Sequence, residues 1–116
     1  MEMKLNLVSD KPTTNGRIYS KKILKESLNQ KDIPILLDAN QGSQHNPINL
    51  NEIIGFANLN EFNNDKITFN TQFLTESYKE FFKDYELSIS GLGEMNKDNQ
   101  IIDFKLTHLF PTIEQQ

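Results

Sequence analysis

The chain has 116 residues, enough for one hydrophobic core but not for two, so a single domain spanning 1–116 is expected. Twelve basic and sixteen acidic residues give a net charge of −4, and no Lys/Arg run exceeds two residues, which argues against a nucleic-acid or anionic-membrane partner. The absence of cysteine excludes disulfides and thiolate metal sites, and with neither a run near the ~20 apolar residues of a membrane span nor an apolar segment in MEMKLNLVSD, a soluble protein without an export signal is expected.

Taken in order, Met3 to Val8 alternates, with Met3, Leu5 and Leu7 on one side, and predicts a half-buried first strand. Ser9 to Gly16 reads as a loop ending in the Asn15-Gly16 turn. Arg17, Ile18 and Tyr19 then run extended into Ser20, a capping residue for a helix starting at Lys21 with Ile23, Leu24 and Leu28 on one face. Ile35-Leu36-Leu37 suits a short buried strand, with Pro34 confined to its first residue or to an edge. Asp38 to Asn51 is polar, holds Gly42 and Pro47, and reads as a long functional loop.

Two strands, Ile53 to Leu59 and Lys66 to Phe73, form a hairpin around Asn63-Asn64-Asp65. Thr75 caps a second short helix whose apolar face is Tyr78, Phe81 and Phe82. Tyr85 to Ser90 is a strand with Ser88 on its polar face, ended by Gly91-Leu92-Gly93. After a turn at Asn96 to Asn99, a last strand places Ile102, Phe104, Leu106, His108 and Phe110 on one face. The expected class is α+β, a mostly antiparallel sheet with two short helices against it.

Ser88 is the most specific candidate for chemistry, because the neighbouring glycine N–H groups could approach a substrate oxygen. A serine needs an imidazole within hydrogen-bond reach to act as a nucleophile. Only His45, in the polar loop, and His108, on the last strand, could supply one. The plain readings stand beside this one: a polar serine on a half-buried strand, a core or edge histidine at 108, a solvated histidine at 45. Two histidines without ligand spacing give no metal site, and no cofactor is expected.

Three stretches together resemble the prohead (capsid maturation) proteases of tailed phages, especially the branch in the T4-like phages. They are NGRIYSKKILKESL, IPILLDANQGSQHNPINLNEIIGFANL and YELSISGLGEMNKDNQIIDFKLTHLFPT, in the family's order and spanning Asn15 to Thr112. The resemblance implies a compact, β-barrel-like fold with flanking helices, related to herpesvirus assemblin. It matches Ser88 to the nucleophile. The strand-end position of the family's catalytic histidine falls at Ala39 or Asn40, neither of which can act as a general base.

The resemblance therefore implies a catalytically degenerate member with no catalytic residues expected. Such a protein would serve as an auxiliary or decoration protein of the virion, made in the host cytoplasm and bound to the major capsid protein and other virion proteins. Its expected contact loop includes Asp38, Asn40, Gln41, Gln44, His45 and Asn46. The alternative is an active serine-type maturation protease that cleaves scaffold and capsid precursors, with Ser88, His45 and His108 as its triad.

Overall fold

Hydroxyl caps start both helices where the sequence places them. In α1 (Lys21–Leu28) the Ser20 side chain accepts from the Ile23 N–H at 3.2 Å, and in α2 (Glu76–Phe82) Thr75 accepts from Tyr78 N–H at 3.1 Å. The structure, a computed structural model, describes residues 1–37, 50–63 and 66–113. Asp38 to Asn49, the bulk of the long polar loop, and Asn64-Asp65 at the hairpin tip lie outside the described residues.

Among the described residues seven strands form one sheet: β1 (Glu2–Lys4), β2 (Ile18–Tyr19), β3 (Ile33–Leu36), β4 (Ile53–Phe62), β5 (Ile67–Phe73), β6 (Glu86–Met95) and β7 (Gln100–Thr112). The sheet is mostly antiparallel, in the order β1-β5-β4-β3-β7-β2, with β6 on β7 as well. Two pairings are parallel, β2 and β3 each against β7. The α+β class is as expected. The barrel-like closure is not: among the described residues the sheet is open, and just past β1 the chain meets β6 at an isolated bridge, Leu5 opposite Leu87, beside the bond from Asn6 N–H to Leu87 C=O at 2.8 Å. Beyond Leu5 the chain leaves the sheet, so no ladder forms along that seam.

The core lies on the face carrying Leu5, Ile33, Ile35, Ala57, Phe69, Leu87 and Leu109, with Leu24 and Leu28 of α1 buried as well. Each such aliphatic or aromatic side chain contributes roughly 1.5–3 kcal/mol on leaving water. The β4–β5 hairpin forms as predicted, with Ile67, Phe69 and Thr71 inward.

Several expectations change. Pro34 is the second residue of a central strand, tolerated because β3 meets β7 only at Ile35 opposite Leu109 and pairs with β4 elsewhere. Gly91-Leu92-Gly93 does not end its strand, because β6 continues to Met95 against β7. Phe81 is 67% exposed, leaning edge-on against Phe82 at 4.8 Å, so Phe82 carries the buried face of α2 with half-buried Tyr78. Ile102 is 57% exposed while Ile101 is buried, which breaks the predicted single face of β7. No described helix is long and apolar enough to cross a membrane.

Candidate functional site

The β6–β7 ladder carries the residues singled out for chemistry. Ser88 lies opposite Phe110 and Ser90 opposite His108; the next pair is Gly91 opposite Leu106. Two residues of β6 therefore face three of β7, and the extra one, Thr107, forms a β-bulge. Residues directly opposite share a face, so Ser88, Ser90, His108 and Phe110 lie on one side of the sheet, with Ser90 and not Ser88 directly across from the histidine.

The bulge turns the Thr107 hydroxyl toward its neighbours. Its Oγ1 donates to the Ser90 carbonyl at 2.9 Å and lies 3.0 Å from His108 Nδ1. His108 is fully buried and Ser88 is 4% exposed. No hydrogen bond among the described residues joins the Ser88 hydroxyl to His108. The second proposed base, His45, and the contact-loop residues Asp38, Asn40, Gln41, Gln44 and Asn46 lie outside the described residues, as do Ala39 and the loop's glycine. No group of three His, Asp or Glu side chains is placed to hold a metal among the described residues.

Ser88 opens onto a groove of about 620 Å³. One wall is β6, from Ser88 through Gly93 to Met95; the other is the turn that carries Thr13, Asn15 and Arg17, with Leu7 and Tyr19. The NGRIY segment reaches this place by local chemistry. Gly16 takes φ +78°, a conformation glycine adopts freely, and its N–H bonds the Thr13 carbonyl at 2.8 Å. Thr13 N–H then bonds the Arg17 carbonyl at 2.9 Å, and Ile18 N–H bonds the Asn99 carbonyl at 2.9 Å, which starts the parallel pairing of β2 with β7. Tyr19 is seated edge-on against Phe104, ring centres 5.5 Å apart.

Arg17 is the only Lys, Arg, Asp or Glu side chain lining the groove, and it forms no ion pair among the described residues. The outer edge of β6 has no strand partner among the described residues beyond Leu87. Leu92 and Met95 on this strand are 49% and 48% exposed. Such an edge is a template for an added extended segment.

Sequence reasoning found Ser88 and His108 but passed over Ser90, Thr107 and the groove wall from Asn15, Arg17 and Tyr19. The bulge had a signal: Leu106 and Leu109, both buried, are three apart, which a strand of strict two-residue period cannot bury on one face. The groove wall had none, since it depends on a pairing between residues more than eighty positions apart. Comparison of the chain with protein-family models, with curated proteins and with solved structures finds no match.

Proposed function

We propose that this chain is a catalytically silent domain of the prohead-protease type that serves as an auxiliary, or decoration, protein of a phage capsid. The observation that carries the silent reading is the register of β6 on β7, which sets Ser90 and not Ser88 directly across from His108, while the strand-end position of the family's histidine holds Ala39 or Asn40. Without a base in place a serine is a poor nucleophile, and loss of one triad member costs orders of magnitude in rate. Two of the three stretches that resemble the family, NGRIY and the Ser88 strand, form opposite walls of one groove, which supports the architecture.

In this reading the groove binds and does not cut. An extended segment of the major capsid protein lies along the outer edge of β6 beyond Leu87, where no described strand pairs, with a carboxylate on it meeting Arg17. Binding ties neighbouring capsid subunits together, and the protein resides in the virion. The test is composition and dependence together. Mature particles contain the chain at a stoichiometry comparable to the capsid protein, and Ser88→Ala leaves assembly unchanged. Particles without the chain overturn the reading.

A second reading, an active maturation protease with Ser88 as nucleophile, is favoured by one observation: Ser88 and His108 share a face of adjacent strands, two positions apart in register. Its signature is cleavage of capsid or scaffold precursor on co-expression, abolished by Ser88→Ala.

A further inference from the structure

We infer that Thr107 is a positioning residue for His108: the β7 bulge sets its hydroxyl so that the buried imidazole is held as the Nδ1–H tautomer, with Nε2 as the acceptor end of the ring. A threonine hydroxyl has one proton and two lone pairs. That proton is committed to the Ser90 carbonyl at 2.9 Å, so the 3.0 Å contact with His108 Nδ1 is a hydrogen bond only if the ring nitrogen donates. The bulge is what makes both contacts possible. In regular pleating the side chains of residues 107 and 108 point to opposite faces, whereas the extra residue between the Ser90–His108 and Gly91–Leu106 pairs brings Thr107 Oγ1 alongside the imidazole.

The arrangement has a defined chemical meaning. In hydrolytic triads the group behind the imidazole holds its tautomer and also stabilises the imidazolium that forms. A neutral hydroxyl does the first and supplies no charge for the second. Thr107 thus orients His108 as the group behind a catalytic base would, through a neutral hydroxyl at Nδ1, and this holds whether the groove binds or cuts.

Long-range proton–nitrogen correlation spectra of the full chain, recorded at alkaline pH where both imidazoles are neutral, read the tautomer directly. A His45→Asn variant assigns the His108 signals. The expected result is a protonated-type nitrogen at Nδ1 and an unprotonated-type nitrogen at Nε2. Thr107→Val, which keeps the shape and removes the hydroxyl, shifts Nδ1 toward the unprotonated range, and Thr107→Ser restores it. An Nε2–H tautomer in the wild type overturns the inference, even where the valine variant does not fold. So does a folded Thr107→Val variant with an unchanged spectrum.

Discussion

Gly91 marks the closest approach of β6 to its partner strand. A methyl group built there would collide with the Lys105 carbonyl and come within 2.7 Å of the tip of the Phe104 ring, so backbone and not a flexible side chain stands in the way. Gly91→Ala is therefore expected to destabilise by about 1–3 kcal/mol, the usual range for overpacking, read as a lower urea midpoint at unchanged slope. Gly16 is the contrasting case. A Cβ there meets nothing within 4 Å, and the strain comes only from φ +78°. Asparagine tolerates that conformation, so Gly16→Asn should cost well under the roughly 1–2 kcal/mol expected of Gly16→Ala. Equal losses for the two Gly16 variants would show that space, not backbone conformation, decides the position.

At the scale of elements, what could be read from the sequence was what residues a few positions apart decide. Ser20 and Thr75 announce α1 and α2 because a cap bonds an N–H three residues on, and the alternation of Ile67, Phe69 and Thr71 announces β5 because each side chain reports only its own face. Pro34 in a central strand, the passage of β6 through Gly91 and Gly93, and the Arg17 wall of the groove were not legible, since each depends on which distant strand lies alongside. The groove makes a prediction at this scale. Arg17 is exposed and its side chain forms no ion pair among the described residues, so Arg17→Glu should leave the unfolding free energy in urea within about 0.5 kcal/mol of the parent. If the groove is the proposed capsid-binding surface, reversing the charge that Arg17 brings to it should weaken co-sedimentation with assembled capsid shells by at least about tenfold. Unchanged co-sedimentation would remove the groove from the interface.

For the whole molecule, the open sheet raises the question of what keeps its two ends together. β1 is tied to β5 by three register pairs and by the chain start, where the terminal ammonium donates to the Thr71 carbonyl at 3.0 Å and Thr71 Oγ1 donates to the Met1 carbonyl at 2.7 Å. β6 is held by ten register pairs to β7. Between these two well-fixed edges the described backbone gives the Leu5–Leu87 bridge and the Asn6–Leu87 bond, and with Leu5 1% and Leu87 0% exposed the side chains seal the seam as well. Leu5→Ala and Leu87→Ala should each cost about 2–5 kcal/mol. Because the two side chains occlude the same seam, the double variant should lose less than the sum, with a coupling of about 0.5–3 kcal/mol in a double-mutant cycle of urea unfolding. Hydrogen exchange on the single variants should show β1 and the start of β6 losing protection together while the β4–β5 hairpin keeps its own. Additive losses with no shared change in exchange would mean that the two edges are stabilised separately, each by its own partner strand.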